Sequence, residues 1–203
     1  MNKRHLAASA VLASTLVLTA CGNNGTDTAS SPANGGSSTS AETAKGNDAD
    51  VAFLTGMKPH HEQAVEMSDL VLAANPPADV AAIAEQIKGA QAPEIEQMNR
   101  MLADLGEKAD GMAHGGGHSG GMGMGSHGGM MSNEMMAALD AATGTDAARL
   151  YLEGMIAHHQ GAIEASDTEI ADGKYEPAIE LAREIKTAQA AEITEMQALL
   201  ESL

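Results

Sequence analysis

Two histidine pairs stand in matching settings 98 residues apart. Met57-Lys58-Pro59-His60-His61 returns as Met155-Ile156-Ala157-His158-His159. The correspondence runs without a gap from about 50–105 onto 148–203. It carries Ala64/Ala162, Glu66/Glu164, Ser68/Ser166, Asp69/Asp167, Gln91/Gln189, Glu94/Glu192 and Met98/Met196. A duplicated helical hairpin must repeat its apolar residues. It has no need to repeat paired histidines, glutamines and glutamates. Imidazole and thioether on one helix face are the donors of a transition-metal site.

A second group of such donors lies between the copies. From about 106 to 131 the chain is dense in glycine and carries His114, His118, Met122, Met124 and His127, with Met112, Met130 and Met131 beside them. Glycine at this density does not hold a helix. His-rich tracts point to metal binding. Soft thioether suits Cu(I), and imidazole suits both copper states. Zinc favours Cys, His and carboxylate instead. The expected cargo is therefore a copper ion, Cu(I) or Cu(II), with silver as the second candidate.

The elements that must position these donors are helices. The first is expected over about 50–74, ended by Asn75-Pro76-Pro77, and the second over about 78–105. The later copy repeats them over about 146–171 and 176–203, with Asp172-Gly173-Lys174 as the turn and Pro177 at the tolerated start of a helix. Pro59 and Pro93 fall inside helices and each removes a hydrogen bond. Ser132 is placed to cap a short additional helix. Two hairpins make an all-α fold, a four-helix bundle.

On a wheel of 100° per residue, Leu54, Met57, His61, Ala64 and Ser68 share a stripe, with His60 at its edge. Gln91, Glu94 and Met98 share another, as do Gln189, Glu192 and Met196. A buried carboxylate requires a partner, a proton or a metal. Counting outward from the turns predicts that His61 faces Gln91, His60 faces Glu94 and Met57 approaches Met98. In the later copy His159 faces Gln189, and His158 and Met155 lie level with Glu192 and Met196. The candidate metal ligands are these histidines, glutamates and methionines plus the loop donors. A buried polar network inherited by duplication is the competing explanation.

The N-terminus reads as an export signal over 1–20, with Lys3 and Arg4 ahead of an apolar run too short to span a bilayer. Leu18-Thr19-Ala20-Cys21 reads as a lipobox. The resemblance to bacterial lipoproteins implies acylation of Cys21, the only cysteine, and hence an extracytoplasmic protein anchored to the membrane by lipid. Residues 21–48, rich in Gly, Ser, Thr and Asn, read as a flexible tether to a bundle over 49–203. The signal holds two basic and no acidic side chains. Without it nine bases face 28 acids, a formal −19. That balance argues against a nucleic-acid partner. With Phe53, Tyr151 and Tyr175 the only aromatics and 14 methionines, the core is aliphatic and thioether. No nucleophile motif, phosphate loop or dinucleotide fingerprint is present.

Met-x-x-His-His with Ala three residues later, then Gln-x-x-Glu-Ile-x-x-Met, resembles the bacterial "domain of unknown function 305" family. The matches are Met57, His60, His61, Ala64, Gln91, Glu94, Ile95 and Met98, then Met155, His158, His159, Ala162, Gln189, Glu192, Ile193 and Met196. The resemblance implies a ferritin-like four-helix bundle, exported or lipid-anchored, with some members similar to copper-binding proteins of metal resistance. Di-iron enzymes of that architecture carry Glu-x-x-His; this chain carries Met-x-x-His. The leading expectation is a copper-binding scavenger or chaperone and not an enzyme. The alternatives are an oxidase acting on Cu(I) or Fe(II), and a metal-free helical interaction module.

Overall fold

The computed structural model describes residues 46–106 and 127–203. All regular structure among them is helical: α1 (Asp48–Ala73), α2 (Ala78–Asp104), α3 (Asn133–Ala141), α4 (Gly144–Asp172) and α5 (Glu176–Ser202), with a 3₁₀ turn (His127–Gly129) ahead of α3. The hairpins α1–α2 and α4–α5 pack as a four-helix bundle, and α3 lies against α1 and α4. No helix among the described residues is long and apolar enough to cross a membrane.

Local chemistry sets the helix ends. The Asn47 side chain accepts from the Ala49 and Asp50 N–H groups at 2.9 and 3.1 Å, and the Asp50 carboxylate reaches back to the Asn47 N–H. This capping box satisfies donors that the first turn cannot. Asn75 takes a φ of 56°, a left-handed conformation that asparagine adopts more readily than most residues. Pro77 then opens α2. The Ser132 side chain caps α3 by accepting from the Met135 N–H. Both α1 and α2 continue through their internal prolines.

Two cross-links set α1 antiparallel to α4. The Gly144 N–H donates to the Ala74 carbonyl at 2.8 Å, joining the start of α4 to the end of α1. At the other end Asp50 accepts the N–H groups of Lys174 and Tyr175, both at 2.9 Å. Helices of 26 and 29 residues held in this way have their midpoints level. Those midpoints are the two histidine pairs. Apolar side chains gather on either side of that level. One cluster holds Met67, Ile83, Tyr151, Met155 and Met196, the other Phe53, Met57, Met98, Leu102 and Ile185. Burial of each such side chain is worth roughly 1.5–3 kcal/mol.

The duplication is visible in the contacts. Lys88 pairs with Asp69 as Lys186 pairs with Asp167. Symmetry fails at one buried hydroxyl. Tyr151 meets Ser68 at 3.1 Å, whereas the first copy has Phe53, and the Ser166 hydroxyl is buried without a partner among the described residues.

The junction of α1 with the α4–α5 turn also holds two buried carboxyl groups, Asp50 and Glu169. Burial, and after it the neighbouring Asp50 carboxylate, push Glu169 up to about 8. Burial would raise Asp50 too, but hydrogen bonds from the backbone N–H groups of Asn47, Tyr175 and Lys174 help bring it below its ordinary value. A carboxyl group raised in the folded state contributes stability that is complete below its unfolded pKa and disappears as pH rises through its folded pKa. Between pH 6.5 and 8 Glu169 therefore lowers stability by up to about 1.4 kcal/mol per pH unit. Glu169→Gln, which keeps the shape and a donor, should flatten that slope in thermal melts. An unchanged slope would show that Glu169 does not hold its proton above the ordinary carboxyl range.

Candidate metal centre

His60 and His61 differ by 100° around α1 and so address different neighbours. His61 faces α2, where its Nε2 lies 2.8 Å from Glu94 Oε2. His159 repeats this on α5 with Glu192 Oε2, also at 2.8 Å. His60 and His158 turn toward each other across the α1–α4 interface. Their rings stack with centroids 3.6 Å apart and planes at 35°. Each lies 6.4 Å from the other histidine of its own pair. Four imidazoles thus cross the bundle in one buried row, and its centre is the contact between the two repeats.

Hydrogen bonding divides the row into two kinds of histidine. The outer two are tied to carboxyl groups. Of the inner two, His60 Nε2 bonds the Gly128 carbonyl at 2.9 Å. His60 Nδ1 and both ring nitrogens of His158 are buried with no hydrogen-bond partner among the described residues, as is the Nδ1 of each outer histidine, so only His158 has neither nitrogen partnered. Burial pushes His60 down to about 4, against the pull of the Gly128 carbonyl, and the neighbouring imidazoles add to the fall. Burial, followed by the repulsion of the other three histidines, takes His158 lower still. Both inner rings are neutral at pH 7, the form in which imidazole ligates metal.

The segment 128–131 closes over the inner pair. Gln63 clasps it with both ends of its amide: Nε2 donates to the Met131 carbonyl at 3.0 Å, and Oε1 accepts the Met131 N–H at 2.8 Å. On α4 two glycines permit the approach. A Cβ on Gly161 would stand 1.7 Å from the Gly128 carbonyl oxygen, and one on Gly154 would stand 2.7 Å from Met131 Sδ. Gly128 and Gly129 themselves have φ of 51° and 84°, which glycine alone adopts without strain. The first repeat carries Gln63 where the second has Gly161, so one copy grips the strap and the other gives it room.

The expected register needs correction. His61 pairs with Glu94, not Gln91, and His159 with Glu192, not Gln189. His60 does not face Glu94, nor does His158 face Glu192. Counting from the turn compares Cα positions, but helical side chains lean toward the helix N-terminus. In an antiparallel hairpin His61 leans away from the turn and Glu94 leans toward it. They meet about one helical turn out of the Cα register. Gln91 and Gln189 are buried with unpartnered amides among the described residues.

The methionines are distributed unevenly. Met57 lines a cavity beside His60. Met98, Met155 and Met196 are fully buried in the apolar clusters. Among the described residues no three His, Cys, Asp or Glu side chains are grouped to enclose a metal ion. Cys21, His114, His118, Met122 and Met124 lie outside the described residues, and His127 enters only through its backbone. Sequence reasoning missed Gln63, Gly128 and the meeting of His60 with His158. The one available signal was glycine in mid-helix at 154 and 161, which marks a close approach.

The family model described as Domain of unknown function (DUF305) matches residues 50–200. A DUF305 protein from Streptomyces coelicolor, described as secreted, is 29% identical with a TM-score of 0.66; the match covers 76% of this chain and 93% of that one. A DUF305 fragment from Deinococcus radiodurans is also 29% identical with a TM-score of 0.66, over 77% of this chain and 98% of that one. CopM, solved in a Cu(II)-bound form, is 25% identical with a TM-score of 0.62, over 75% of this chain and 96% of that one. No curated protein matches the sequence.

Proposed function

Because this chain belongs to the DUF305 family, whose description assigns no activity, we propose its function from the site: reversible binding of copper outside the cytoplasm. The observation that carries the reading is the inner pair, His60 and His158. Unpaired buried nitrogen costs free energy, about 1–3 kcal/mol for each group. These rings leave three nitrogens in that state, neutral and at the meeting point of the repeats. Coordination would satisfy them. The rings lie against each other with centroids 3.6 Å apart and planes at 35°, so one ring turns as the metal binds. The outer pairs hold the row in place as hydrogen-bonded supports. The two hairpins thus share one centre, in place of a separate site in each. CopM, with its copper-bound structure, supports the choice of metal, as do the thioethers around the row.

The role is sequestration or transfer, with silver as a competing soft cargo, and the loop donors His114, His118, Met122, Met124 and His127 gather metal for the centre. Purified protein from cells grown in mixed metals should contain copper in preference to iron and zinc. It should not accelerate oxygen consumption in the presence of Cu(I). Iron enrichment, or rapid oxygen uptake, would replace the binding role by an oxidase. Lipid anchoring through Cys21 belongs to the same proposal. Cys21→Ser should leave the membrane fraction while its circular dichroism is retained; membrane retention equal to wild type would remove the anchor.

A further inference from the structure

Beside His60 a cavity of about 290 Å³ is lined by Gly56, Met57, Met130 and the small residues Ala52 and Ala165. The fold does not require it. At the repeat-related positions Ala52 becomes Leu150, Ala165 becomes Met67, and Gly56 becomes Gly154. Gly154 is covered by Met131, whose Sδ leaves no room for a Cβ; Gly56 has nothing within 4 Å of where a Cβ would stand. Glycine inside a helix costs about 1 kcal/mol relative to alanine, and no packing contact demands it at 56. The second copy has filled this space, and the first has kept it open beside Met57, Met130 and His60.

Building on the copper reading above, we propose that this cavity is the entry site for a soft monovalent cation, captured by Met57 and Met130 with His60 and passed to the inner histidine pair. Thioether binds Cu(I) and Ag(I) in preference to Zn(II), Mg(II) or Ca(II). Met57 and His60 lie one helical turn apart on α1, and Met130 reaches the same wall from the strap that Gln63 fixes. A single ion would leave most of the cavity free. The remainder, several water volumes at ~30 Å³ each, admits the ligand with which the ion arrives. His60 belongs both to this wall and to the stacked pair, so transfer needs only exchange of ligands around one imidazole. The proposal also gives the asymmetry of the repeats a function: metal enters on one side only.

The test uses the full mature chain with methionine methyls labelled with ¹³C and assigned by single Met→Leu substitutions, titrated with Ag(I) as a redox-inert probe. The Met57 and Met130 methyls should shift at the first additions, before the ring signals of His60 and His158, while Met98, Met155 and Met196 stay unmoved. Gly56→Leu, which fills the cavity, should abolish both methyl shifts and slow the histidine response at least tenfold. Histidine shifts without Met57 and Met130 shifts would overturn the entry site and leave the copper centre standing. If neither set responds, both proposals fail. Methyl shifts that survive Gly56→Leu would place the cation elsewhere and also overturn the entry site.

Discussion

Replacing His159 by alanine should lower the stability of the metal-free protein by about 3 kcal/mol. Glu192 is the reason. It is 6% exposed, and its Oε2 depends on His159 Nε2 at 2.8 Å. The other oxygen has only a long contact, 3.5 Å, from Gln86 Nε2. Removing the imidazole leaves a buried carboxyl group without its main partner and adds a void where the ring had been. His61→Ala makes the same chemical change in the first repeat, but the Glu94 side chain is 21% exposed. Water can replace the lost donor there, so the cost should be about 1 kcal/mol. Urea unfolding of both variants in the presence of a chelator measures the difference. Equal losses would mean that burial of the carboxyl group does not set the cost, and the outer histidines would then not act as unequal supports.

This inequality marks the boundary of what the sequence discloses. The helices and their turns are legible because proline, asparagine and glycine stop them at repeated places and because the apolar stripes have one period. The hairpin pairing is legible to within one turn: the lean of the side chains, not the Cα positions, decides that His61 meets Glu94. The stacking of His60 on His158 is not legible. It is a contact between hairpins, and no turn length fixes the register between them. That register comes from the Asp50 contacts with Lys174 and Tyr175 and from the Gly144–Ala74 hydrogen bond, none of which is a repeated feature. The strap is hidden for a different reason. A glycine-rich stretch reads as linker, and only the receiving side, Gln63 in one copy against Gly161 in the other, shows that residues 128–131 have a fixed place. The doubled motif leaves open whether each hairpin holds its own site or the two share one, and the packing brings the inner histidines of the two motifs into contact.

His158→Ala should show the opposite pattern from His159→Ala. Neither ring nitrogen of His158 has a hydrogen-bond partner among the described residues, so truncation orphans no carboxyl group. It loses the stacking on His60 and leaves a void, but it also removes two buried unsatisfied nitrogens, each costing about 1–3 kcal/mol. These effects oppose each other, and the metal-free variant should melt within a few degrees of wild type. The loss should appear with copper. A ligand that binds only the folded state stabilises it by about 2.7 kcal/mol at a hundredfold excess over its Kd and about 4.1 at a thousandfold. For a domain of this size, 2.7 kcal/mol is a shift of roughly 5–10 °C. Wild type with Cu(I) under reducing conditions should gain that shift. His158→Ala should lose most of it, because an affinity reduced a hundredfold removes about 2.7 kcal/mol of linkage. His159→Ala should melt lower without metal yet retain much of its gain, since in the proposed centre Glu192 and His159 are supports and not ligands. If His158→Ala gains as much from Cu(I) as wild type does, the stacked pair is not the metal centre. A reversal of the two variants would assign the metal to the outer pairs, and the inner rings would then be packing alone.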